Sequence, residues 1–453
     1  MDVEFIRNKY EDSYDGVVTK TKFKIGIRHL QMVYMLLCSL AIGMMRSSNV
    51  VAILSISDKT RINDTYIQIH NWDKRIQGTI FSSYFLGYAL VYLPAEIYLK
   101  TLGDKFVITA ILLINGGLSA AMPTIINKGG WIALCNAEFI IGMSQVCLSP
   151  INEHLISSWL PPNERRICGS IIQGGILLGI ITAFPVSGLL SKTQLGWELI
   201  FYSQAMMTLS LATIWALLTA GTPESHQAVG DSEKDFIKQA LSCYKKKELK
   251  NPWHQILRTK QFWAIALTHA AANVTFIFFL VEIPSFLLIT QSIRISSWLS
   301  SLPFICLWCV YILTASPIEF VNNIGLTSLL FDRKYFRKIV NGIATFGIVI
   351  GLMMLPNFIN NWNQLGIFVL MGTLGLLGLQ FSGFLENHKD MTQNFSGTLL
   401  IMTSAVANTI GALVPLFTGL VIGDERVNVT GLEMEEMNQN KRIIRGTEED
   451  TLV

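Results

Sequence analysis

The chain has 453 residues, 51% of them hydrophobic and only 15% charged, with a formal net charge of +3. At that length a soluble protein would divide into about three domains. Here the apolar residues come instead in blocks of twenty or so, as spans of a ~30 Å hydrocarbon core require. Composition therefore excludes a set of soluble domains, and no nucleic-acid partner is expected.

Residues 1–28 form a polar arm in which Asp2, Glu4, Glu11, Asp12 and Asp15 alternate with Lys and Arg, so no cleavable signal peptide is evident. Eleven spans are predicted after it: 29–55, 78–99, 106–126, 131–159, 168–190, 198–220, 262–287, 298–320, 339–358, 366–386 and 397–423. The first carries Arg46 in its second half, followed by Ser47, Ser48 and Asn49. A guanidinium in mid-membrane costs about 2.5–3.5 kcal/mol on insertion scales, so it normally faces a polar cavity or a partner in the bundle. The competing reading is a tilted helix from whose end Arg46 snorkels to the interface. The polar run after it favours a wetted surface, and a cavity with a fixed positive charge attracts anions.

A charged stretch at 221–260, with Lys245, Lys246 and Lys247, separates six spans from five, and the chain is polar from 424 to 453. Domain expectations follow: an N-terminal bundle at 29–220, a central loop at 221–260, a C-terminal bundle at 261–423 and a polar tail at 424–453, with no twelfth span. Lys and Arg concentrate in the arm, the central loop and the cluster Arg333, Lys334, Arg337 and Lys338, which places the N-terminus in the cytoplasm. Asn63 in the sequence Asn-Asp-Thr then faces outward as a glycosylation acceptor. The expected fold is an all-α polytopic membrane protein of two helical bundles (6 + 5), the plan of many secondary transporters.

Other polar residues also fall within spans. Glu96, Glu153 and Glu319 read best as charges near span ends. Glu138 and Gln145 share a face of the fourth helix. Glu138 is read as a partner for Arg46, as a proton carrier, or as an interfacial carboxylate. His269 and Asn273 stand one turn apart on the seventh helix, where a helix–helix hydrogen bond is preferred to a proton relay. Cys306 and Cys309 form a CxxC inside a span and read as packing residues. No metal cluster or nucleophile–base pair is found, so the chain is not expected to be an enzyme.

The segment Ser158-Trp159-Leu160-Pro161-Pro162-Asn163-Glu164-Arg165 resembles the W-x-P-P-x-E-R signature after the fourth helix of one anion-transporter family. That family holds the sodium/phosphate cotransporters, sialin and the vesicular glutamate transporters, within the major facilitator superfamily. Gly26 to Gln31, Arg46, Gly87-Tyr88 and Pro94 fit its first two helices. Pro185 to Gly188, Gly196-Trp197, Phe201-Tyr202, Pro223 to His226 and Pro252-Trp253 continue the match in order. So do Glu282-Ile283-Pro284, Asn387 to Asp390, Pro415 and Thr418-Gly419, for coverage of 24–426.

The chain departs from the family at several positions. Gln145 stands at its usual helix-four glutamate, Glu138 at the arginine before it, Phe81 at a helix-two histidine, Ala272 at a helix-seven arginine, and Lys100 at an acid of the superfamily loop motif.

The resemblance implies a secondary active carrier of a small anion, inorganic phosphate or organic, coupled to Na+ or H+ and without other cofactors. Substrate would bind between the halves at Arg46, Tyr88, Gln145, His269 and Asn273, with Glu138 as coupling or charge partner. A multi-pass monomer is expected, with the plasma membrane favoured over vesicular or lysosomal membranes. The alternative is a non-transporting receptor or scaffold of the same fold, motivated by the lost carboxylate and the absent final span.

Overall fold

The computed structural model of the chain describes residues 26–58, 67–242, 253–288, 291–315, 333–359, 363–385, 387–391 and 396–422. Asn63, Glu319 and the tail from 423 onward lie outside the described residues. Among the described residues the secondary structure is helical throughout. The first half holds α1 (Ile27–Ile56), α2 (Lys74–Leu102), α3 (Asp104–Gln145), α4 (Leu148–Trp159), α5 (Pro162–Leu190) and α6 (Gly196–Leu218). Next come α7 (Asp231–Ser242) and the short α8 (Trp253–Leu257). The second half holds α9 (Lys260–Leu287), α10 (Ile293–Ala315), α11 (Arg333–Ile359), α12 (Asn363–Leu385), α13 (Asn387–Met391), α14 (Ser396–Ala412) and α15 (Val414–Ile422).

Eight stretches among the described residues are by themselves long and apolar enough to cross a membrane, and Leu365–Phe381 is a shorter apolar helix. One of the eight, Asp104–Trp159, is a single 56-residue piece. An unbroken helix the length of α3 would run about 63 Å at 1.5 Å per residue, twice the ~30 Å core. Gly130 resolves this: at φ 62° and ψ −157° it breaks the helical path, in a backbone region that only glycine enters cheaply. The Gly129-Gly130 pair thus divides α3 into two spans, as the separate expectations for 106–126 and 131–159 require.

Call the end where α1 starts proximal and the end where it stops distal. The largest apolar core draws on both halves and lies mostly toward the distal end. It joins Val50, Ile53 and Ile56 of α1 and Ile80 and Phe81 of α2 to Leu280, Ile283 and Leu287 of α9 and Phe304 of α10. Toward the proximal end each half has its own core. One contains Met35, Ile42, Ile108, Leu155, Trp159 and Trp215; the other contains Phe262, Ala266, Leu399 and Met402. Apolar burial, worth about 25 cal/mol per Å², therefore joins the halves mainly at the distal end, while toward the proximal end each half also has a core of its own.

The charged stretch between the halves, expected as loop, contains α7. Glu233 of α7 accepts hydrogen bonds from the backbone N–H groups of Ile27 (3.2 Å) and Arg28 (3.3 Å) at the start of α1. A carboxylate at a helix N-terminus satisfies donors that have no partner within the helix. Arg28 is 0% exposed and is gripped from two sides, by Glu164 at 2.9 Å and Glu233 at 3.2 Å. The Trp159–Arg165 segment is thereby given a physical role. Trp159 ends α4 in the proximal core, Pro162 starts α5, Glu164 holds Arg28, and Arg165 donates to the carbonyls of Leu160 (2.9 Å) and Ser157 (2.7 Å).

Candidate functional site: a pocket at Arg46 between the halves

Arg46 lies about two-thirds of the way along α1, half-buried, and borders a small pocket of about 20 Å³ that is partly open to solvent. From the first half the lining comes from Arg46, Asn49, Val50 and Ile53 of α1, Phe81, Tyr84 and Phe85 of α2, and Glu138 of α3. Leu280 and Val281 of α9 close it from the second half, so the pocket is shared between the two. Arg46 faces this pocket and does not snorkel from a helix end.

Two glycines make the α2–α3 wall possible. A Cβ on Gly142 would stand 2.1 Å from the Tyr84 carbonyl oxygen, and one on Gly87 would stand 2.2 Å from that of Phe139. Any side chain there would force the helices apart. Their close approach puts the Tyr84 hydroxyl 2.7 Å from Gln145 Oε1, to which it donates. The same oxygen accepts from Arg46 Nε at 3.3 Å, while Gln145 Nε2 donates to Asn115 Oδ1 at 2.8 Å and Asn115 donates to Ser144 Oγ at 2.8 Å. The guanidinium lies over two rings, 5.0 Å from the Tyr88 centroid and 5.8 Å from that of Tyr84, within cation–π range. Tyr92 continues the aromatic column at 5.9 Å from Tyr88, toward the proximal end.

Glu138 is 3% exposed, so it is no interfacial carboxylate. It forms no direct ion pair with Arg46. Its Oε1 accepts from Asn49 Nδ2 at 2.9 Å, and Asn49 Oδ1 accepts in turn from Gln204 Nε2 at 3.1 Å. Asn49 sits one turn after Arg46 and takes the place at Glu138 that the sequence suggested for the arginine; Glu138 and Arg46 share the pocket wall instead.

The structure brings Arg46, Tyr88, Gln145 and Glu138 together but not His269 and Asn273. His269 shares the Thr403 hydroxyl of α14 with His388, at 3.2 Å and 2.8 Å, and its ring is 5.1 Å from that of Phe384. Asn273 donates to the Ala407 carbonyl (3.0 Å) and to Asn408 Oδ1 (3.1 Å), also on α14. Leu280, at the pocket, lies eleven residues beyond His269, about 16 Å along the axis at 1.5 Å per residue. Both side chains hydrogen-bond to α14, and neither lines the Arg46 pocket, where the sequence had placed them as substrate ligands. Asn49 and Tyr84 were missed. Tyr84 stands four residues from Tyr88 and Asn49 three from Arg46, so the helical period held the signal.

At the distal end the halves are also pinned by charge. Lys74 Nζ lies 2.7 Å from Glu282 Oε2 and donates to Ser285 Oγ at 2.8 Å, while Thr418 Oγ1 donates to Glu282 Oε1 at 3.2 Å. Gly78 packs under the Pro415 carbonyl, where a Cβ would stand 2.3 Å from the oxygen.

A family model described as Major Facilitator Superfamily matches residues 35–420. Among similar proteins are the "Putative inorganic phosphate cotransporter" of Drosophila ananassae, 29% identical over 80% of this chain and 74% of its own length, and human sialin, 27% identical over 79% and 71%. The sodium-dependent phosphate transport protein 1 of Rattus norvegicus is 25% identical over 79% and 76%. Among solved structures, a D-xylose-proton symporter aligns with TM-score 0.63 at 13% identity, covering 86% of this chain and 89% of its own. A bacterial homologue of the human lysosomal transporter Spinster aligns with TM-score 0.66 at 15% identity, over 90% and 85%.

Proposed function

Because the chain belongs to the Major Facilitator Superfamily, we propose that it is a secondary carrier of a small anion, inorganic phosphate or organic, driven by sodium or protons. The observation that carries this reading is the placement of Arg46 on a pocket walled by both halves. A guanidinium held at Nε by Gln145 and beside the Tyr84 and Tyr88 side chains would meet an anionic oxygen in a charge-assisted pair stronger than a neutral hydrogen bond. Tyr88 and Gln145 orient it, and Glu138 is the coupling or charge partner across the pocket. Relatives named as phosphate cotransporters and sialin support an anion as cargo.

With the N-terminus in the cytoplasm, the proximal end is the inner one. The shared distal core and the Lys74–Glu282 pair then belong to a carrier closed to the outside and open within. Transport would proceed by rocking one half over the other so that this seam parts and the proximal cores meet. We place the carrier as a monomer in the plasma membrane.

Flux of labelled phosphate and of labelled organic anions into proteoliposomes, with and without a sodium gradient, tests the reading. Arg46→Ala is expected to reduce uptake at least 100-fold to the protein-free background while surface expression in cells stays intact. Uptake by the variant equal to that of the parent would refute the role of Arg46. No flux of any anion by the parent would return the receptor or scaffold alternative.

A further inference from the structure

The two halves meet at the distal end through charge as well as through apolar packing. Lys74, the first residue of α2, reaches across the boundary to Glu282 of α9 at 2.7 Å and to Ser285 Oγ at 2.8 Å. Thr418 of α15 donates to the other oxygen of the Glu282 carboxylate at 3.2 Å. One carboxylate therefore gathers α2, α9 and α15. The ion pairs Arg28–Glu164, Arg28–Glu233 and Lys192–Asp58, by contrast, lie within the first half and α7.

This cluster stands directly distal of the Arg46 pocket. Lys74 precedes Phe81 by seven residues, two turns along one face of α2 and about 10 Å along its axis. Phe81 lines the pocket, and so do Leu280 and Val281, the two residues before Glu282 on α9.

The contact is built so that it can part and re-form. Taking Lys74 and Glu282 out of water costs much of what their attraction returns, so releasing both together into water is nearly balanced. Beside them α2 and α15 meet backbone to backbone. A Cβ on Gly78 would stand 2.3 Å from the Pro415 carbonyl oxygen, and one on Gly419 would stand 2.8 Å from that of Lys74. At these two glycines no side chain is locked into the facing helix, so the surfaces can separate without a change of rotamer. Within α9, Pro284 has no N–H to give to the Leu280 carbonyl, which weakens the helix between the pocket wall and the carboxylate.

We propose that Lys74 and Glu282 form a reversible bolt that holds the distal seam shut over the Arg46 pocket, and that its release opens the pocket to that side. The inference rests on the carrier reading above and deepens it, by assigning the charged groups that set the balance between the two open states.

Ser297 of α10 reports the state of the seam. It is 1% exposed and lies against Gly188 of α5 at the distal end, so a cysteine there meets a maleimide when the halves part. The purified full chain carrying Ser297→Cys is compared with the same chain lacking that cysteine. Adding Lys74→Met is expected to raise the labelling rate at least fivefold. The charge swap of Lys74→Glu with Glu282→Lys is expected to bring the rate back within twofold of the parent, which a general loss of stability would not do. Labelling of Lys74→Met at the parent's rate overturns the proposal, and so does a folded swap that labels as fast as Lys74→Met. Should the swap aggregate on size exclusion, the single variant alone decides. Should Lys74→Met aggregate, Glu282→Gln replaces it, with at least a twofold rise expected and no rise overturning the proposal. Labelling needs no cargo, so the two readings fail separately: unchanged labelling removes the bolt, and an absence of anion flux in the parent removes the carrier.

Discussion

The Arg46 pocket and the His269 cluster present similar residues to a reader of the sequence: isolated polar side chains one turn apart in long apolar helices. In the structure they differ in what each leaves over. The side-chain hydrogen bonds of His269 Nδ1 and Asn273 Nδ2 run to α14, through Thr403, the Ala407 carbonyl and Asn408, and Phe384 packs on the imidazole. At Arg46 the internal bonds stop short of closing the site, and the guanidinium and the carboxylate of Glu138 both border open space. A polar residue inside the membrane thus has two uses, fastening helices or meeting a guest, and the presence of a cavity decides between them.

The sharpest way to break that comparison, after Arg46 itself, is Gln145→Leu. It removes the acceptor shared by Arg46 and Tyr84 and strands Asn115, so uptake is expected to fall about 10–100-fold, the scale of losing hydrogen bonds to a charged group. The measurement is initial uptake rate per folded transporter; a rate within twofold of the parent would mean that Gln145 does not position the arginine.

Asn273→Leu should act on the other side of the divide. Two interhelical bonds to α14 disappear, at a cost of roughly 0.5–1.5 kcal/mol in stability. The thermal midpoint in detergent is expected to drop while the substrate concentration at half-maximal uptake stays within twofold. A changed substrate preference would erase the distinction drawn here. His269→Gln is the mildest test, since glutamine can still reach the Thr403 hydroxyl. Both stability and transport are expected to stay near the parent values, and an altered pH profile of uptake would reinstate the histidine as a relay.

Much of this was legible in the sequence, for physical reasons that apply unevenly. Apolar blocks of span length and the buried charge of Arg46 are statements about solvent, and solvent acts residue by residue. The common face of Glu138 and Gln145 followed from the helical period alone. Pairing between helices is not local. The sequence could not say that Asn49 rather than Arg46 meets Glu138, or that Lys74 and Glu282, 208 residues apart, close one end of the seam. Composition likewise hid α7. A short polar helix looks like loop until the carboxylate of Glu233 is seen on the first turn of α1.

That last contact has a mechanical consequence. With α7 bolted to α1 and, through Arg28 and Glu164, to α5, the stretch from Leu218 to Ser242 belongs to the first half as rigid ballast. The first half therefore carries α7 with it whenever one half turns against the other.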